Sequence, residues 1–339
     1  QVQVKRSFPS AKRISAFDNT TFCTAFLSDG SLLTIRDIPI VDLRDVDKIA
    51  FNPTGSSLAL MRGKKPVSIY SFRDRNKKLF ELKEQRKSKE LKGRKNLNFF
   101  VPGPVGAELM KDASKGDIVP VAMCYGADAR NFLVANSLGE IIVYDTKAYL
   151  PQAYIQGKAV ATTITMSPNN YFIAAGTGKN IDIWNFQTKE LRTSLPMPAE
   201  VTELVFSADA SQMAVVTADK RLTIFDTKTW DKVDIFDKIG GTLTSPSFHP
   251  DGKYISVVKD GNAIVIMNLK NSVPEQTLDE NPGGVTGSRF FVNKQTSDVF
   301  MLSNRAKGLV FWDANGLNPF FGKLMSKEVD AKMNEWVKM

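Results

Sequence analysis

One recurring pattern limits what this chain can fold into. From Val201 to Asp226 the sequence VTELVFSADASQMAVVTADKRLTIFD reads as three short strands joined by two tight turns. Val, Ile, Thr and Phe dominate the strands, and Ser, Asp and Ala punctuate them, as antiparallel hairpins require. One such unit is marginal alone, so a chain built on it needs further copies to pack against.

The copies are present. The residue that ends the first strand of each unit is Phe17, Phe51, Tyr125, Met166, Phe206, Phe248 and Phe291, at successive spacings of 34, 74, 41, 40, 42 and 43. Four of these six fall within the ~40–45 period of propeller blades, with 34 shorter and 74 longer. A second turn follows in each unit: Ser28-Asp29-Gly30, Arg62-Gly63-Lys64, Asn136-Ser137-Leu138-Gly139, Gly176-Thr177-Gly178, Ala218-Asp219-Lys220, Lys259-Asp260-Gly261 and Ser303-Asn304-Arg305. Gly, Asn and Asp there supply the positive φ of short hairpin turns. The third strand ends in an aromatic-polar pair at Tyr144-Asp145, Trp184-Asn185, Phe225-Asp226 and Trp312-Asp313. Its Asp or Asn can fold onto the following backbone and open the next turn.

These residues resemble the WD-repeat β-propeller family. The segment Phe248-His249-Pro250-Asp251-Gly252 and the pair Trp312-Asp313 match its motifs most closely. The chain departs from the regular pattern: only one Trp-Asp pair, Trp312-Asp313, stands at the end of a third strand, and there is no Gly-His dipeptide. That suggests a divergent, bacterial-type propeller. The resemblance implies an all-β fold: a seven-bladed β-propeller of four-stranded antiparallel blades spanning 1–325. An open stack of blades would leave two bare sheet edges, so the ring should close. Gln1–Phe8, which alternates polar and apolar residues, is the favoured outer strand of the last blade; Asn318–Leu324 is the competing one.

The spacing of 74 holds a basic insertion, at about 85–117, after the second blade. From Arg73 to Lys95 there are eleven Lys or Arg and four Asp or Glu, a net of +7 within a chain of net +9. In the blade order the resemblance implies, this link and the second turns share one end of the blades. Arg86, Lys87, Lys89, Lys92, Arg94 and Lys95 are the candidate partner-binding residues, forming a positive flap over that end. The competing reading is a solvated linker. The tail 326–339 reads as a short helix capped by Ser326, with Val329, Met333, Trp336 and Val337 on one face.

No catalytic constellation stands out. The sequence has no phosphate loop and no nucleophile elbow. Its one histidine, His249, lies in a first turn and reads as structural. Asp42, Asp45 and Asp47 match no cation-loop spacing and read as an acidic link. Cys23 and Cys124 sit in separate strand-like runs and read as two free thiols rather than a disulfide. No cofactor and no metal are expected, and no apolar run is long enough to span a membrane. Gln1 in first place fits signal cleavage or trimming, and an extracytoplasmic location is favoured over a cytoplasmic one.

The function expected is a non-enzymatic protein-interaction scaffold, monomeric, with an unknown and acidic protein partner on its loop face. One rival is a propeller enzyme of lactonase or hydrolase type with its site at the central channel. The other is polyanion or nucleic-acid binding through the insertion. Nucleic acid is disfavoured, because the insertion has only Phe80, Phe99 and Phe100 near it and no aromatic platform for stacking bases.

Overall fold

The computed structural model describes residues 11–16, 23–27, 32–34, 46–53, 56–71, 78–82, 118–236, 239–278, 284–292, 297, 299–305, 308–314 and 322–323. All the regular structure among them is strand. The insertion, the tail 326–339 and the segment Gln1–Phe8 lie outside the described residues. The chain divides into two compact units, one of residues 45–204 and one of residues 1–44 with 205–339.

The 45–204 unit holds three sheets. The first is β4 (Lys48–Phe51), β5 (Ser57–Met61), β6 (Val67–Ser71) and β7 (Lys78–Leu82). The second is β8 (Pro120–Tyr125), β9 (Asn131–Asn136), β10 (Glu140–Asp145) and β11 (Pro151–Gln156). The third is β12 (Thr163–Met166), β13 (Phe172–Gly176), β14 (Asn180–Asn185) and β15 (Leu191–Pro196). Each is an antiparallel meander in which consecutive strands are neighbours. The middle strands are apolar on both faces, as in Phe132-Leu133-Val134-Ala135, all buried. A middle strand of this kind has to be covered on both sides, and neighbouring sheets supply the cover. Leu133, Ala135, Ile141 and Val143 of the second sheet pack with Met166, Ile173, Ala175 and Trp184 of the third. Phe132, Val134, Ile142 and Tyr144 pack on the other side with Ala59, Val67 and Ile69 of the first.

The other unit repeats the scheme. Its strands are β1 (Ala11–Ala16), β2 (Cys23–Leu27) and β3 (Leu32–Thr34), then β16 (Val201–Phe206), β17 (Gln212–Thr217), β18 (Leu222–Asp226) and β19 (Lys232–Ile235). The unit boundary falls within β16. Then come β20 (Leu243–Phe248), β21 (Tyr254–Lys259), β22 (Ala263–Asn268) and β23 (Val273–Leu278), and last β24 (Val285–Val292), β25 (Val299–Arg305), β26 (Gly308–Asp313) and β27 (Gly322–Lys323). The first three strands form a three-stranded sheet and the rest form four-stranded meanders. Phe248 sits between two sheets, with Val216 and Ile224 on one side and Ile255 and Val257 on the other.

The repeat extends to single residues. Phe51, Met166, Phe206 and Phe248, which each end the first strand of a sheet, are all buried to a similar degree. The residue after each is a buried turn hub: Asn52, Ser167, Ser207 and His249 are all buried. Four residues after the strand end the backbone turns left-handed, at Ala129, Asn170, Ala210 and Gly252. In five of the sheets the third strand pairs with the fourth through a bulge at the same point, as at Ile183/Trp184 and Ile224/Phe225. The Asp or Asn that follows then caps its turn: Asn185 Oδ1 accepts from the N–H groups of Gln187 (2.8 Å) and Thr188 (3.0 Å). Asp226 Oδ1 accepts in the same way from Lys228 (2.7 Å) and Thr229 (3.1 Å).

Three expectations need correction. The fourth strand of the last sheet is Gly322–Lys323, which pairs with Asp313 and Trp312, so the outer place goes to the Asn318–Leu324 alternative rather than to Gln1–Phe8. Ser303-Asn304-Arg305 belongs to β25, because Arg305 pairs with Gly308 and Ser303 with Val310. Phe291 is displaced by one from its supposed equivalents. Phe51 pairs with Leu58 and Phe248 with Ile255, seven residues on, whereas in the last sheet it is Val292 that pairs seven residues on, with Val299. Counting aromatic residues misplaced the repeat there because in β24 the aromatic residue stands one position before the residue that ends the strand.

Candidate functional site

In a four-stranded meander the turn between the second and third strands and the link to the next sheet lie at the same end. The registers place them there: Lys48 pairs with Met61 and Val67 with Leu82. Leu82 and Pro120, the strand residues nearest the insertion on either side, therefore belong to this end of their sheets. The exit is tied down. The Ser137 N–H donates to the Val119 carbonyl (2.8 Å) and the Val119 N–H donates to Ser137 Oγ (3.0 Å). The six candidate residues Arg86, Lys87, Lys89, Lys92, Arg94 and Lys95 lie outside the described residues.

The same end of the 45–204 unit carries two features absent from the sequence reading. The Lys48 ammonium donates to the carbonyls of Val121 (2.8 Å) and Thr162 (3.0 Å). One side chain thus joins the first strands of two successive sheets to the residue that leads into the first strand of a third, and its charge meets carbonyl dipoles. Exposed lysines stand on the turns and links around it: Lys64, Lys65, Lys158 and Lys179. Asp47 joins this end too, since its carboxylate accepts the Gly63 N–H. Of the proposed acidic link, Asp42 and Asp45 lie outside the described residues.

The 205–339 unit holds a buried polar seam between its last two sheets. β20 bulges at Ser245-Pro246, where Ser245 takes a φ of 53°. Ser245 Oγ accepts the backbone N–H of Ser288 (3.1 Å) and a guanidinium N–H of Arg289 (2.9 Å). Arg289 also donates to the Pro246 carbonyl (2.9 Å), and the Phe290 N–H donates to Ser247 Oγ (2.9 Å). Ser256 and Ser288 are wholly buried beside them. Small hydroxyl side chains let two sheets approach closely while satisfying backbone groups that apolar residues would orphan. The available signal was TSPSF, whose Ser-Pro-Ser breaks the apolar alternation.

His249 is a turn residue in this unit. Its Nε2 lies 3.1 Å from the Ala314 carbonyl, and the ring packs edge-on to Phe290 and Tyr254. Nδ1 faces Asp251, whose carboxylate is 2.8 Å away. It fills the place that Ser167 and Ser207 fill in other sheets, where the hydroxyl accepts the N–H of Phe172 and Gln212.

Several groups titrate away from their ordinary values. Burial pushes the Cys124 thiol up to about 12, against a smaller opposing contribution from the Met166 backbone. Although Cys124 as a whole keeps some surface, its sulfur packs on the core beside Met166. The side chain of Cys23 lies outside the described residues. Burial also raises Tyr125, whose hydroxyl is 2.8 Å from that of Tyr149. Partial burial works to raise Asp145, but the N–H groups of Ala148, Leu150 and Lys147 outweigh it and hold the carboxyl below the usual range. Asp209 is lowered likewise, by Ser207 and Ser211 against burial.

No protein-family model matches the chain. Its curated relatives are WD-repeat proteins. Echinoderm microtubule-associated protein-like 2 of Rattus norvegicus is 24% identical over 147 residues, covering 42% of this chain and 22% of that protein. The Periodic tryptophan protein 2 homolog of Dictyostelium discoideum is 29% identical over 132 residues, covering 32% of this chain and 14% of the relative. Its counterpart in Schizosaccharomyces pombe is 24% identical over 156 residues, covering 45% and 18%. The match thus spans less than a quarter of each relative's length. These relatives are eukaryotic and lend no support to the expectation of a bacterial-type propeller.

Proposed function

We propose that the chain is a seven-bladed β-propeller serving as a non-enzymatic protein-interaction scaffold. The observation that carries this reading is the residue-level repeat: the same meander, bulge, side-chain-capped turn and buried turn hub recur from sheet to sheet. Units that can bury their faces only against copies of themselves make a rigid framework. Their loops are then free to vary and to bind. The WD-repeat relatives support protein partners at that coarse level. On this reading, Arg86, Lys87, Lys89, Lys92, Arg94 and Lys95 form a basic flap that steers an acidic partner to the turn end.

Two measurements test the proposal. A density map should show seven sheets about one axis, and eight, or two separate stacks, would overturn the architecture. Replacing residues 83–117 with a short Gly-Ser linker should leave the melting temperature nearly unchanged and abolish cross-linked capture of native partners. Undiminished capture would reduce the insertion to a linker.

A further inference from the structure

We propose that His249 is a pH-sensitive switch in the 205–339 unit: one proton on its ring selects between two hydrogen-bonded arrangements of the turn 249–253.

A ring nitrogen that meets an acceptor at hydrogen-bond distance has to carry a hydrogen. Both nitrogens of His249 meet one. Nε2 is 3.1 Å from the Ala314 carbonyl, and Nδ1 is 2.8 Å from Asp251 Oδ1. The two contacts together describe the imidazolium, which donates from both sides. A neutral ring has a single N–H, so the two acceptors then compete for one hydrogen. The turn supplies the way out, because the Asp251 N–H lies 3.3 Å from Nδ1. In the neutral arrangement Nε2 keeps its hydrogen and its tie to Ala314, Nδ1 accepts from the Asp251 N–H, and the carboxylate turns away. One proton passes between the ring and water, and no covalent bond between heavy atoms changes.

Comparison between sheets isolates what the histidine adds. At the same hub, Ser167 Oγ donates to Asn169 Oδ1 (2.7 Å) and Ser207 Oγ donates to Asp209 Oδ1 (2.6 Å). Those contacts join a hub to the residue two positions on, as His249 joins Asp251, but a hydroxyl gives up no proton near neutral pH. The ring is buried among Tyr254 of β21 and Phe290 of β24, both edge-on, and the Ala314 carbonyl. Asp251 and Tyr254 are the titratable groups in contact with it among the described residues, and Asp313 precedes Ala314 at the end of β26. The Lys253 N–H donates to Asp251 Oδ1 (2.9 Å), so the carboxylate keeps a donor when the ring releases it. Asp251 and Lys253 are exposed, so the switch changes the charge that this turn presents at the surface.

The chain has one histidine, so its imidazole gives a single set of signals. The test follows the isotope-labelled full chain by NMR from about pH 5 to 8, the range in which imidazoles ordinarily change charge. The expected result is passage from two protonated ring nitrogens to one, at Nε2, with the amides of Asp251, Gly252 and Lys253 shifting at the same midpoint as the ring. Asp251→Ala should leave the ring titrating and remove most of the shift at Gly252 and Lys253. His249→Ser, the change to the hub of the neighbouring repeats, should leave these amides without a common midpoint. A ring that holds one protonation state throughout, or a neutral ring protonated at Nδ1, overturns the inference. Turn amides that shift as in the parent in either variant overturn it as well, and Asp251→Ala decides the matter if His249→Ser does not fold.

Discussion

Ser245 Oγ lies 3.1 Å from the backbone nitrogen of Ser288, so a side chain on one sheet completes the backbone hydrogen bonding of the next. Ser245 reaches this position only through a left-handed backbone at a bulge. Two costs can be separated by substitution. Ser245→Ala leaves a buried N–H without its acceptor and should destabilise by about 1–3 kcal/mol. Ser245→Gly loses the same hydroxyl but relieves the left-handed strain, and should be less destabilising by about 1 kcal/mol. Denaturant melts of both variants check the order; if Gly is the worse of the two, the strain is not real.

Lys48 makes a parallel case in the other unit. Lys48→Met keeps the aliphatic stem and removes both carbonyl contacts. The site is partly exposed, so the loss should be about 1 kcal/mol, toward the low end for charged hydrogen bonds. Hydrogen exchange of the amides around Val121 and Thr162 should quicken, since the ends of those strands lose a common tie. Unchanged exchange would mean the lysine merely rests there.

Phe248 is enclosed by side chains from two sheets. Phe248→Ala should cost about 3–5 kcal/mol, the range for an aromatic side chain removed from a packed core. A cost under about 1 kcal/mol would show that the sheets are not packed through this position.

Asp145 and Asp209 predict an acid-sensitive contribution to stability. Their folded carboxyls titrate below the unfolded value. The stabilisation is therefore complete above the unfolded pKa of about 3.9 and is lost as pH falls through the depressed folded value. In Asp145→Asn/Asp209→Asn the melting temperature should fall less steeply than in the parent below about pH 4. The Asn substitution is mild at Asp145, because Asn185 caps the equivalent turn. Parallel pH profiles would count against the assignment.

The Cys124 thiol, pushed up to about 12 by burial, should stay protonated and unreactive toward a disulfide reagent at pH 8. Cys23→Ser isolates its signal. Rapid labelling of the native single-thiol protein would contradict its burial, and labelling should become fast only in denaturant.

The all-β character and the repeat were legible in the sequence, because strand alternation and turn chemistry are local properties. Trp184-Asn185 and Phe225-Asp226 announce a strand end and a capped turn within a few residues, and the structure adds Met267-Asn268 to the set, where Asn268 caps Lys270 (2.9 Å). Tertiary structure decided what depends on residues far apart in the chain. Nothing near Lys48 foretells that its ammonium will meet carbonyls at Val121 and Thr162, 73 and 114 residues on. Nothing near Ser245 foretells Ser288. The outer strand of the last sheet was misassigned to Gln1–Phe8 for the same reason: that segment and Asn318–Leu324 both have strand character, and only pairing across β26 selects Gly322–Lys323. Local propensity specifies an edge, and long-range hydrogen bonding specifies its partner.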